Sequence, residues 1–187
     1  MNPKVNIQYG RLIDPVFIFY CQNNPQLKKR GWNDWTPPSK DVLNKRIKAY
    51  KEEWAKYDII ENISKTLNLS FKQNIIDVFI VSGVSRASSH PIIIKSGLKP
   101  REFVTTLSHE LIHRILTENK IKKVLYDKES SDTTNNHVII YSILKKILDK
   151  ELWDTEVLLA KSDDYKRAIE LSEKIGPDNA IKMMMAQ

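Results

Sequence analysis

Apolar residues recur at helical spacing along 41–67, where Leu43, Ile47, Tyr50, Trp54 and Ile60 share one side, so this stretch is expected to be largely helical. Short apolar runs bounded by proline, glycine or polar clusters mark strands at 16–21, after Asp14-Pro15, and at 75–81. A third run, 91–95, opens on a proline, which has no amide hydrogen for a ladder, and is therefore expected at a sheet edge. Gly97 ends it, and Pro100 suits the first turn of a helix over 100–117, in which Val104, Leu107, Leu111 and Ile115 cluster on one side. A second helical pattern covers 135–150, with Ile139, Ile140, Ile143, Leu144 and Ile147 as its buried stripe and Thr133 or Thr134 as its cap. Further helices are expected over 152–161 and 165–175, with a terminal turn after Gly176-Pro177. The Asn, Pro and Trp content of 22–39 reads as a loop that Trp32 and Trp35 anchor. Strands interrupted by one helical stretch and followed by a run of helices make an α+β fold with a small mixed sheet. The chain is expected to form a single domain over 1–187, with a strand and helix half at 1–98 and a helical half at 99–187.

Composition narrows the class. At 187 residues and 41% hydrophobic, the chain can bury a sizeable core without disulfides. Its one cysteine, Cys21, lies within an apolar run and is expected to be a small buried hydrophobe; a cysteine-rich zinc module is excluded. The first twenty residues lack a basic segment followed by a long apolar one, and no stretch has the length of a membrane span. A soluble, cytoplasmic protein without a membrane partner is expected, and the pattern carries no signal for oligomeric state. The net charge of +7 raises the question of nucleic acid. Lys28-Lys29-Arg30, Lys45-Arg46-Lys48 and Lys120-Lys122-Lys123 are the basic groups. Acidic residues are interleaved elsewhere and aromatic residues do not alternate with the basic ones, so these read as solvated surface.

Chemistry concentrates in residues 109–113, which read His-Glu-Leu-Ile-His. Two histidines four apart on a helix project from one face, where their imidazoles can grip one zinc ion while Glu110 stands beside it as general base. On the helix wheel, at about 100° per residue, His109 and His113 point away from the side formed by Val104, Leu107, Leu111 and Ile115. The helix is therefore expected to bury one face and present its histidines on the other. The bland alternative, one packed histidine and one solvated, does not account for the pairing opposite the apolar stripe.

Catalytic zinc takes three protein ligands and keeps one position for water, so a third ligand must come from elsewhere. The chain holds two more histidines, His90 and His137. His137 follows the motif and sits at the rim of the stripe of the 135–150 helix, with Tyr141 one turn further on. Asp132, Asp149, Glu151 and Glu156 are the acidic alternatives. Asp132 looks like a cap, and the other three read more simply as solvated charges. Hydrolysis would also need a donor for the oxyanion that develops on the attacked carbonyl. Tyr141 is the first candidate, with His90 and Tyr126 after it.

The segment Phe103-Val104-Thr105-Thr106-Leu107-Ser108, then HELIH, then Arg114-Ile115-Leu116, resembles the active-site helix of the zincin metallopeptidases. Asn136-His137-Val138-Ile139-Ile140-Tyr141 resembles the second helix of small zincins whose third ligand is histidine. The resemblance implies a zincin-like fold and zinc-dependent hydrolysis of peptide bonds in a peptide or protein substrate. It makes His109, His113 and His137 the metal ligands and Glu110 the catalytic base. It also implies that the edge strand at 92–95 holds extended substrate by strand addition. A further histidine six residues beyond the motif, as in metzincins, is absent, since Asn119 stands there. Three other classes remain. One is a catalytically silent zincin-fold binding module, which an intact Glu110 argues against. Another is a DNA-associated protease of the SprT-like type, which usually adds the cysteine-rich module that this chain lacks. The last is a basic nucleic-acid-binding protein in which the HELIH motif is accidental, which metal content would separate from the others.

Overall fold

A computed structural model describes residues 2–29, 32, 34–83 and 87–186. Arg30, part of the first basic run, lies outside the described residues. Two compact units emerge, one carrying the sheet (Lys4–Tyr57 and Ile75–Leu107), the other mainly helical (Asp58–Asn74 and 108–186, with residues 2–3).

The sheet unit begins with β1 (Lys4–Tyr9), where Val5, Ile7 and Tyr9 alternate with polar residues. The expected strand at 16–21 is instead helix α1 (Asp14–Asn23). Pro15 occupies its first turn, where its missing amide hydrogen costs nothing, and the apolar residues Val16 and Phe19 face outward at 68% and 67% exposure. A short helix α2 (Pro25–Lys29) interrupts the expected loop at 22–39, and Trp32 and Trp35 lie with ring centroids 5.8 Å apart.

The helical stretch expected at 41–67 is two helices, α3 (Lys40–Trp54) and α4 (Ile59–Leu67), the second belonging to the helical unit. Ser39 caps α3 by accepting from the Val42 amide, and Leu43, Ile47 and Tyr50 are its buried stripe. Trp54 is only half-buried. On α4 the buried positions are Ile59, Ile63 and Leu67 rather than Ile60, and Asn68 ends the helix in the left-handed conformation that asparagine tolerates.

Strands β2 (Ile75–Val81), β3 (Ser88–Ser89) and β4 (Ile92–Lys95) complete a four-stranded mixed sheet in the order β1-β2-β4-β3. The first three in that order run parallel, with Ile7 opposite Val78 and Val78 opposite Ile92, whereas β3 is antiparallel to β4. Ile76, Val78, Ile80, Ile92 and Ile94 are fully buried. The edge expected at 91–95 is thus displaced at Ile92 and Ile93. Two-residue β3 pairs with Ile92 and Ile93, so β4 has a neighbour on either side there and the open edge passes to Ser88–Ser89. Strand addition along Ile92 and Ile93 is excluded by that pairing. On the other side of the unit, Tyr50 stacks on Phe103 at 4.3 Å, and its hydroxyl reaches the carbonyls of Ser96 and Leu98 at 2.7 and 2.8 Å.

Helix α5 (Pro100–Glu118) gives residues 100–107 to the sheet unit and 108–118 to the helical unit. It was expected to bury one face and present its histidines on the other; Phe103, Thr105, Ser108, Leu111, Ile112 and Ile115 are fully buried, His109 is nearly so, and Glu102, Thr106, Glu110, His113 and Thr117 form the less-buried stripe. The rest of the helical unit is α6 (Asp132–Ile147), α7 (Lys150–Leu159), α8 (Asp163–Ile175) and α9 (Pro177–Met185). Helix α6 packs on α4, α8 and α9. No described helix is long and apolar enough to cross a membrane.

Candidate metal centre

The helical unit brings His109, His113 and His137 together. The first two follow from their spacing on α5. His137 depends on how α6 begins. Neither Thr133 nor Thr134 caps it, and Asp132 is already helical. The cap is Ser131, whose hydroxyl oxygen accepts from the Thr134 amide at 3.0 Å. Asn135 then ties down the preceding loop. Its carbonyl oxygen accepts from the amides of Tyr126 and Asp127 at 2.8 and 2.9 Å, and its amide donates to Asp127, Ser130 and Ser131 carbonyls. With the first turn so fixed, His137 stands one turn in, 9% exposed, facing α5.

The three rings form a near-equilateral triangle, with centroids 5.0 Å apart for His109–His113 and His113–His137 and 5.3 Å for His109–His137. The Nε2 atoms of His109 and His113 lie 3.2 Å apart. Two nitrogens on one tetrahedral zinc, each about 2.0 Å from it, would stand about 3.3 Å apart. One potential ligand atom from each of the three histidines lies within 4.8 Å of the others. That bound is looser than the roughly 3 to 4 Å of a filled site.

The outward nitrogens are engaged. His109 Nδ1 meets Glu156 Oε1 at 2.9 Å, and His137 Nδ1 donates to the Thr133 carbonyl at 2.7 Å. A donor hydrogen on Nδ1 leaves the Nε2 lone pair for a metal, the arrangement in which a second partner fixes tautomer and ring orientation. The residues present therefore fit a metal ion by number and donor type, and His109 and His137 also by tautomer.

Glu156 was expected to be a solvated charge or a rival ligand. It is neither. It is 4% exposed on α7, in the buried stripe with Leu152 and Trp153, and its carboxylate orients His109. Asp149 accepts from the Leu152 amide at 2.8 Å as the cap of α7, and Glu151 is exposed in its first turn. Among the described residues, no carboxylate joins the three histidines as a potential ligand.

Electrostatics separates the members of the cluster. Burial alone would depress the His109 pKa, but the hydrogen bond and charge of Glu156, with the charge of Glu110, outweigh it and the net shift is upward. His137 moves the opposite way, to about 4, because burial and the positive charge on His109 both disfavour a second cation. It is neutral at neutral pH, the form that ligates. Burial raises the Glu110 carboxyl above the ordinary range against the pull of His109, with the Glu156 charge adding to the rise.

Tyr141 is 1% exposed, edge-on to His109 at 5.7 Å and to Trp153 at 6.4 Å, and burial keeps its phenol protonated. Tyr165 of α8, not anticipated from sequence, is half-buried with its ring 4.5 Å from that of His137. Tyr126 is committed elsewhere, its hydroxyl donating to the Ala180 carbonyl at 2.9 Å. His90 is exposed in the turn between β3 and β4, where Nδ1 lies 3.0 Å from Ser89 Oγ. Comparison of the chain with protein-family models, with curated proteins and with solved structures finds no match.

Proposed function

We propose that the protein is a zinc-dependent peptidase of the zincin type. The observation that carries this reading is the convergence of three histidine nitrogens around one point, with a half-buried glutamate, Glu110, next in sequence to one of them. A purely structural site has no use for a general base in that position. The succession of a parallel strand pair, an α5-like motif helix and a second helix with a histidine supports the zincin comparison.

In this reading His109, His113 and His137 hold the ion. A zinc ion so held supplies Lewis acidity, which brings the pKa of water toward about 7 and polarises a carbonyl oxygen. Glu110, its carboxyl already shifted toward neutrality by burial, accepts the proton of the attacking water. As the new C–O bond forms and the C–N bond breaks, the same carboxyl delivers that proton to the leaving amine. Tyr141 and Tyr165 are the phenols beside the cluster whose hydroxyls can donate to the carbonyl oxygen. Glu156 does not meet substrate; it holds His109 in the ligating tautomer.

Two measurements test this. Cleavage of an unfolded protein substrate should stop on treatment with a chelator and return with added zinc; hydrolysis indifferent to chelation would remove the metal from the mechanism. Glu156→Gln keeps the shape but weakens the hydrogen bond to His109, and zinc affinity should fall about 10- to 100-fold by competition with a chromogenic chelator. An unchanged affinity would reduce Glu156 to packing.

A further inference from the structure

The sheet unit carries a cavity of about 360 Å³ whose lining includes Trp32, Trp35, Arg46, Ser82, Lys95 and Gly97. None of these residues belongs to the proposed metal centre. The volume lies at the small end of ligand pockets, which run about 300–1,000 Å³, and suits one small molecule or one unit of a chain. Arg46 comes from α3, Lys95 from the end of β4 and Ser82 from the residue after β2, so the fold gathers the two cations from distant parts of the chain. No carboxylate is among the described lining residues. Asp14, to which both the amide and the hydroxyl of Ser82 donate at 2.6 Å, is itself fully buried. Half-buried cations without an acidic partner in the cavity favour an anion there.

The aromatic side is equally specific. Trp32 and Trp35 are both half-buried and both line the cavity, their indole planes tilted 35° to each other. Trp35 is seated closely, because a Cβ at Gly83 would stand 2.8 Å from its Cη2 and 2.7 Å from Cys21 Sγ; only glycine lets the indole lie on the backbone at that point. An indole face takes a planar ring by stacking, and a guanidinium fork with an ammonium takes a phosphate. We propose that this cavity binds a nucleotide, a planar base carrying phosphate, either free or as one unit of a single strand.

Titration of the full chain with adenosine monophosphate, followed by indole fluorescence and calorimetry, tests this against adenosine, ribose 5-phosphate and a short single-stranded oligonucleotide. Adenosine monophosphate should bind saturably and at least about tenfold more tightly than either fragment. Arg46→Ala and Lys95→Ala should each weaken it by about tenfold or more and leave adenosine little changed. Gly97→Val is the control for folding, because a Cβ at Gly97 meets no atom within 4 Å; it should keep the wild-type melting temperature and block the ligand. An oligonucleotide that binds more tightly than the mononucleotide, and is lost in Gly97→Val, identifies a strand as the source; equal affinity identifies the free nucleotide. Binding of ribose 5-phosphate as tight as that of adenosine monophosphate, binding unchanged in the Arg46, Lys95 and Gly97 variants, or no binding of either nucleotide probe at millimolar concentration would overturn the proposal.

Discussion

Protein in which His109 and His113 are both replaced by alanine should emerge from purification without bound zinc, where the wild-type chain carries about one ion. Their two Nε2 atoms lie 3.2 Å apart, the separation that one tetrahedral ion spans. His137 alone would be left to hold the ion, and a single imidazole competes poorly with buffer and water. Metal analysis of protein made without a histidine tag reads the result directly. A double variant with undiminished zinc would mean that the metal sits elsewhere, and the reading of the three histidines would fall.

Glu110→Gln should separate catalysis from binding. Glutamine keeps the size and most of the hydrogen-bonding capacity of the glutamate but cannot take a proton at neutral pH. Zinc content and melting temperature should therefore stay at wild-type values, while peptide hydrolysis falls by about 10² to 10⁴-fold, the usual contribution of a general base. The carboxyl is half-buried beside the cluster and is not among the three groups positioned to hold a metal, which is why retention of the ion is expected. Zinc lost from this variant would make Glu110 a ligand; activity retained with zinc would leave a binding module.

How far the sequence could be read depended on the range of the signal. The motif helix was legible because a four-residue spacing and a helical period are both local, and they put His109 and His113 on one side whatever surrounds them. His137 was reachable by a short inventory of histidines. The first strand was misplaced because a dense apolar run at 16–21 outweighed the weaker two-residue alternation of Val5, Ile7 and Tyr9, which is the real strand. Pro15, suited to a first helical turn, was the contrary signal there. Glu156 could not be recognised locally, since an acid in a helix rich in acids looks solvated until α7 is docked; its place one turn after Leu152 in the buried stripe was the clue available. The cavity residues were out of reach for the same reason, Trp35, Arg46 and Lys95 being joined only by folding.

The bond between His109 and Glu156 gives position 109 a structural role even when no metal is present. Removing His109 strands a charge, because the Glu156 carboxylate, almost wholly out of water, loses its hydrogen-bond partner. Breaking one side of a buried pair typically costs about 3 to 5 kcal/mol, softened here to whatever extent the orphaned carboxyl picks up a proton. The metal-free chain thus has a reason of its own to retain a histidine at 109, and a chain that lost its catalysis would still be held to that residue by folding.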